Sequence, residues 1–175
     1  MSLLATFCRL LYYHFAIHLP ANGTRPFGRL SGKIRVALGR RFIAHCGTDI
    51  VIEKGAKFCS GRHLYMDDGA GLGINCQLPE HTHIGKYVMM GPNCTVLAEN
   101  HKFDRLDIPM GWQGHTESKP FVVEDDCWIG QNVLIMPGRT ISTGTVVGGG
   151  SVVTKDFPPF SVIGGNPARI LKMRK

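Results

Sequence analysis

The chain has 175 residues, of which 43% are apolar and 19% charged, a balance that excludes a disordered or fibrous polypeptide and fits one domain with a sizeable core. A net charge of +7 raises nucleic acid as a partner, but no basic–aromatic interleaving or reader motif accompanies it. A polyanionic small molecule such as a nucleotide cofactor matches that charge better, and no nucleic-acid partner is expected.

In the first nineteen residues, Leu3, Leu4, Phe7, Leu10, Leu11 and Phe15 follow helical spacing, predicting a helix whose apolar side packs on the domain or on a neighbouring subunit. Arg9 interrupts the run, no basic stretch precedes it and no small-residue cleavage pattern follows. The expectation is a cytoplasmic protein, with weak membrane proximity, peripheral to the inner face, as a secondary role for the helix. Residues 20–47, with Pro20, Pro26 and several glycines and arginines, read as a connector. Residues 1–47 thus form an N-terminal helix and connector ahead of a main domain at 48–172.

From there an apolar residue recurs every six positions: Leu72, Leu78, Ile84 and Met90, then Val123, Ile129, Ile135, Ile141, Val147 and Val153. Upstream, Ile52, Phe58 and Leu64 step by six before the register slips by two to Met66. Four positions after most of these comes a small or modest residue, including Cys76, Cys94, Cys127, Thr145 and Ser151, with Arg139 breaking the slot. A period of six fits neither a helix nor simple strand alternation. It fits a solenoid in which each hexad supplies one short strand and one corner, three hexads make a coil, and the apolar residues stack into an axial column. Glycine following the apolar residue is expected because the turn favours special backbone angles. The six cysteines lack any CxxC pairing and read as buried thiols in a reducing compartment.

The hexads stop between Val96 and Val123, leaving an extruded loop at 97–122 that holds His101, Asp104, Asp107, Trp112 and His115. Long loops on rigid scaffolds are where chemistry concentrates.

The hexads, the loop sequence NHKFD, the segment VVEDDCWIGQNVLIMPGRTI and the ending GGGSVVTKDFPPFSVIGGNPARILK together resemble the hexapeptide-repeat sugar O-acetyltransferases over roughly residues 48–172. The resemblance is closest to maltose and galactoside acetyltransferases and to those of capsular and exopolysaccharide clusters, the stretch YYHFAIHLP being more like the second group. It implies an all-β fold, a left-handed parallel β-helix with an N-terminal helix and an extruded loop. It also implies a homotrimer with active sites between neighbouring β-helices, acetyl-CoA as co-substrate with no metal required, and a sugar or glycan acceptor.

On that resemblance the loop histidine is His101, the general base. A sugar hydroxyl is a weak nucleophile at neutral pH, and imidazole is the side chain that titrates in the range needed to take its proton. Glu99 or Asp104 could fix the ring's tautomer, as could a backbone carbonyl. The resemblance assigns CoA contacts to Trp128, Gly149, Thr154, Lys155, Arg169 and Lys172, while Gln131 stands where relatives carry a smaller side chain. Trp128 directly precedes an inward-pointing residue and so should point outward. Asn75 and Glu80, read as lying on the coil facing the loop, and Asp104 are candidates for acceptor hydroxyls.

Two rival readings remain. His81, His83, His101 and His115 could supply a zinc hydratase of the carbonic-anhydrase type on the same fold, although two ligands five apart are absent. A non-catalytic trimeric scaffold would have no use for NHKFD.

Overall fold

A computed structural model describes residues 2–175; Met1, the first residue of the expected N-terminal segment, lies outside the described residues. The repeat builds a three-sided parallel β-helix. Its first face stacks the strands His45–Cys46, Leu64–Met66, Thr82–Ile84, Phe121–Val123 and Thr140–Ile141. The second face stacks Val51–Ile52, Gly71–Leu72, Met89–Met90, Trp128–Ile129, Val146–Val147 and Ser161–Gly164, closed by the antiparallel strand Arg169–Met173. The third contains Thr95–Val96, Leu134–Ile135 and Val152–Val153, extended by the bridges Lys57–Gln77 and Gln77–Thr95.

From Val51–Ile52 onward one residue of each two-residue strand points inward, and in the three-residue strands Leu64–Met66, Thr82–Ile84 and Phe121–Val123 the first and last do. Ile52, Leu72, Ile129 and Val147 from the second face, with Met66, Ile84, Val123 and Ile135 from the others, are essentially inaccessible to solvent. Burying each such side chain stabilises the fold by about 1.5–3 kcal/mol. Cys76, Cys94, Cys127, Thr145 and Ser151 fill the corners beside this column and are buried as well. All six cysteines are free, but Cys59 is exposed and Cys46 partly so, which corrects the expectation of six buried thiols.

The first strand begins at His45, so the coils start a few residues earlier than the 48 expected. The two-residue slip is real: His45 pairs with Tyr65 and Val51 with Gly71, 20 apart, whereas Leu64 pairs with Thr82 and Trp128 with Val146, 18 apart. The two extra residues sit at the edge joining the third face to the first.

Glycine after the inward residue has a different cause from the one expected. Gly73, Gly85, Gly91 and Gly130 do not have positive φ; a Cβ on Gly73 would strike the Met90 and Gly91 carbonyls, and one on Gly130 would meet the Gly149 nitrogen at 2.6 Å. These glycines let neighbouring coils approach, and Gly91 and Gly130 donate their N–H to the Ile129 and Val147 carbonyls at 2.7 and 2.8 Å. The left-handed backbone falls two residues later, at Gly69, Asn75, Asn93, Asn132 and Gly144 among others. Asparagine tolerates it by local hydrogen bonding, and here Asn75 donates to Asn93 at 3.1 Å and Asn93 to Asn132 at 3.0 Å, one rung per coil.

Two helices close the end at the first coil: α1 (Leu3–His14), followed by a 3-10 turn at Ala16–His18, and α2 (Gly28–Gly39). The second lies inside the stretch expected as a connector. Its fully buried residues are Gly28, Ser31, Gly32, Arg35 and Gly39, flanked by the partly buried Ile34, Val36 and Leu38, so the face that packs most closely carries no large apolar side chain. The first helix does not pack its apolar side on its own domain, the first of the two expected partners. It docks through Ala5, Cys8 and Tyr12, whose hydroxyl donates to the Ala56 carbonyl at 2.7 Å, leaving Leu3, Leu4, Phe7, Leu10 and Phe15 facing outward. Small residues at 5 and 8 permit the close approach. Arg35, fully buried, ties the cap to the coil by donating to the carbonyls of Ile52, Leu19 and Pro20 and to Asn22 Oδ1.

Gly73→Ala is expected to lower stability by about 1–3 kcal/mol, because the added methyl must push two coils apart. Chemical denaturation reads this as a lower midpoint; an unchanged midpoint would show that the coil spacing is not limiting.

Candidate functional site

All departures from the six-residue period lie on one edge, the one joining the third face to the first, and the loop leaves the third coil there. Its stem is a short antiparallel ribbon in which Asn100 N donates to Thr116 Oγ1 at 2.9 Å, Thr116 N to the Asn100 carbonyl at 2.7 Å and Lys102 N to the Gly114 carbonyl at 3.0 Å. The ribbon sets His101 opposite His115, their rings 4.2 Å apart. Glu99 meets His115 Nδ1 at 3.1 Å and not His101, which corrects one of the two expected orienting contacts. Asp104 lies exposed farther along the loop. Gln113 braces the tip through the Arg105 backbone at 3.0 and 2.8 Å, and the Arg105 guanidinium holds the Asp107 carboxyl below its usual range. Phe103, Leu106 and Trp112 project from this loop into solvent, Leu106 almost completely.

Thr154 and Lys155 occupy the same edge two coils farther along, roughly 10 Å at the usual strand spacing. The Lys155 ammonium sits 5.5 Å over the Phe157 ring. Glu80 also lies on this edge, one coil before the loop, where it accepts from Ser60 N at 3.0 Å and from the Ser60 hydroxyl. Burial alone would raise its carboxyl, but those two donors, with His63 and His81 nearby, hold it below the ordinary carboxylate range.

The remaining expected contacts lie elsewhere. Asn75 and Gly149 sit at the edge between the second and third faces, so Asn75 does not face the loop of its own chain, contrary to the sequence reading. Trp128 points outward from the second face, in register between Met89 and Val146. With Val146, Val162, Lys172, Met173, Arg174 and Lys175 it lines a depression of about 900 Å³. Arg169 is exposed on the same terminal strand, its guanidinium donating to the Ala168 carbonyl at 2.9 Å. Sequence reasoning missed Arg174, which grips Asp126 at 3.1 Å and the Gly144 carbonyl at 2.7 Å; the only signal was a basic chain end.

The histidines proposed for zinc pair off instead of converging. His83 meets Asp67 at 2.9 Å, His81 stacks on His63 at 4.4 Å, and His101 on His115. No group of three His, Cys, Asp or Glu side chains among the described residues is spaced to hold a metal ion.

No family model matches the chain. Among solved structures, a hexapeptide-repeat-containing acetyltransferase from Vibrio cholerae superposes with a TM-score of 0.77 at 30% identity, over 98% of this chain and 91% of that one. This chain belongs to the hexapeptide-repeat acetyltransferases. The β-helix of this acetyltransferase accordingly winds left-handed. A galactoside acetyltransferase in complex with coenzyme A is likewise similar, with a TM-score of 0.77 at 27% identity over 97% of this chain and 80% of that one. A curated relative, a putative acetyltransferase of Schizosaccharomyces pombe, is 39% identical over 89 residues, 51% of this chain; the match spans 42% of the relative's length. Within a single acetyltransferase chain, then, His101, Thr154 and Lys155 share one edge, while Trp128 and Lys172 belong to another face.

The Ser60–Glu80 contact yields a pH test. A carboxyl held low in the fold contributes stability above its unfolded pKa and loses it as pH falls through the folded value. The stability gap between wild type and Ser60→Ala should therefore be widest above about pH 5 and shrink towards about pH 3. A gap independent of pH would remove Ser60 as the group holding that carboxylate.

Proposed function

We propose that this protein transfers an acetyl group from acetyl-CoA to a hydroxyl of a sugar or glycan, with His101 as general base. The observation that carries the reading is the loop, the one long excursion from a regular scaffold, which holds His101 in a hydrogen-bonded ribbon on an acetyltransferase fold. The CoA complex of the similar galactoside enzyme supports the donor, and its name supports the acceptor class. In the proposed step the imidazole takes the hydroxyl proton as the oxygen attacks the thioester carbonyl. A backbone N–H at a coil corner steadies the oxyanion. The tetrahedral intermediate then expels the CoA thiolate, and the imidazolium returns the proton to sulfur. No acyl-enzyme is formed.

The working unit in this reading is a homotrimer. Thr154 and Lys155 on the loop edge, and Trp128, Lys172 and Arg169 near the second face, then serve as donor contacts from neighbouring subunits, with Gly149 presenting backbone. The second face supports this, since its outward column of Val51, Met89, Trp128 and Val146 is an apolar sheet surface left uncovered in one chain. Trp112 and Leu106 on the loop equally call for a neighbour. Asp104 and Glu80 are the acceptor-side candidates nearest the loop, and Asn75 would contribute only from another subunit. A cytoplasmic location close to the inner face of a membrane completes the reading; no helix among the described residues is long and apolar enough to cross one.

The test is thiol release from acetyl-CoA across a panel of mono-, di- and nucleotide sugars. His101→Ala should cut turnover by roughly 10²- to 10⁴-fold with acetyl-CoA binding intact. Lys155→Ala or Arg169→Ala should instead weaken binding, as calorimetry would measure. Acceptor-dependent release that survives His101→Ala would overturn the assignment of the base.

A further inference from the structure

We infer that the N-terminal helical cap is a docking surface for an anionic lipid bilayer. This deepens the membrane proximity proposed above and is independent of the acceptor's identity. Two separate observations carry it.

The first is the outward face of α1. At 100° per residue, Leu3, Leu4, Phe7, Leu10, Leu11 and Phe15 cover an arc of roughly 140° in which His14 is the single polar side chain. None of these residues is buried against the chain, and Leu3 is 91% exposed. Phe27 and Leu30, at the start of α2, are exposed as well. The helix reaches its own domain through the opposite side, at Ala5, Cys8 and Tyr12, so the apolar stripe is not the face that anchors it.

The second is where the charge resides. The whole chain has 20 Lys and Arg against 13 Asp and Glu; residues 1–48 hold seven of the cations (Arg9, Arg25, Arg29, Lys33, Arg35, Arg40 and Arg41) and no acid. The remaining 13 cations and 13 acids cancel, so the entire net charge belongs to the cap. Of the seven, only Arg35 is fully buried. Arg29, Lys33 and Arg40 rim a groove of about 530 Å³ along α2 whose floor is Val36, Ala37 and Ile50, with Asp49 as its one acid.

An apolar helix face accompanied by concentrated positive charge is the composition that inserts among acyl chains while its cations meet anionic headgroups. A second copy of the chain is a poorer occupant than an anionic bilayer, because residues 49–175 carry no net negative charge to set against the cap's seven cations. The loop's coil lies two steps from the capped coil, roughly 10 Å along the axis, and the helical cap adds about another 10 Å between that coil and a bound bilayer.

The test is co-sedimentation of the full chain with vesicles of phosphatidylcholine, alone and mixed with phosphatidylglycerol. Binding to the mixed vesicles should be at least about ten-fold tighter than to phosphatidylcholine alone, and should weaken with salt. The double variants Phe7→Ser/Leu11→Ser and Arg29→Glu/Lys33→Glu should each lose about ten-fold in vesicle affinity, with unchanged circular dichroism, sedimentation coefficient and acetyl-CoA binding. Equal or absent binding to both vesicle types would overturn the proposal. So would a fall in oligomer mass on Phe7→Ser/Leu11→Ser, which would assign the face to a second copy. Loss of acetyl-CoA chemistry with vesicle binding intact would count against the enzymatic reading alone.

Discussion

Because the backbone N–H and C=O groups of each face bond to the coil above or below, every coil must stack at the spacing of parallel strands, and that spacing governs side-chain choice everywhere else. It demands glycine at Gly73, Gly91 and Gly130, where one backbone rests directly on the next. It also aligns like positions into columns, so that Asn75, Asn93 and Asn132 hydrogen-bond along an edge and Ile52, Leu72, Met90, Ile129 and Val147 form a single apolar file. An axial stack has open ends, and the ends are where the regular pattern is abandoned. Two helices and a buried arginine close the first coil, and an antiparallel hairpin held by Arg174 closes the last.

A scaffold this regular assigns each functional group a height and an edge. The loop ribbon gives His101 a fixed base and a stacked neighbour, while Lys155 stands two coils away on the same edge and Trp128 on a different face. Groups that one chain holds apart at fixed positions converge, in the proposed reading, through another chain, and that reading ties catalysis to assembly.

Much of this was legible in the residues. The period of six, the slip at Leu64–Met66 and the break after Val96 each correspond to a structural event at the expected place. What escaped notice did so for identifiable reasons. The fully buried side of the second helix is glycine, serine and arginine, with Ile34, Val36 and Leu38 only flanking it, so hydrophobic periodicity did not mark the packed face. Which side of α1 meets its own domain was not legible because apolar spacing reports amphipathicity but not which side finds the domain; Ala5 and Cys8 fit the close contact that leucines would have blocked. Glycine following an inward residue looked like a turn requirement, yet its cause is contact with a coil eighteen or more residues away, invisible to local reasoning. Edge assignment for Asn75 failed for a related reason, since it requires counting each position around the coil rather than along the chain.

The irregular edge has a consequence for how such a protein can diversify. Two residues are inserted there between Phe58 and Met66, a whole loop between Val96 and Val123, and the final passage from Val153 to Ile163 is shortened, while the other two edges keep their count throughout. The edge behaves as a seam: length added or removed on it shifts no register on the adjoining faces, because each strand re-enters the ladder at the same rung. New recognition elements can therefore be tried on the seam by insertion and deletion, at little risk to folding, while the ladders of the three faces keep their register.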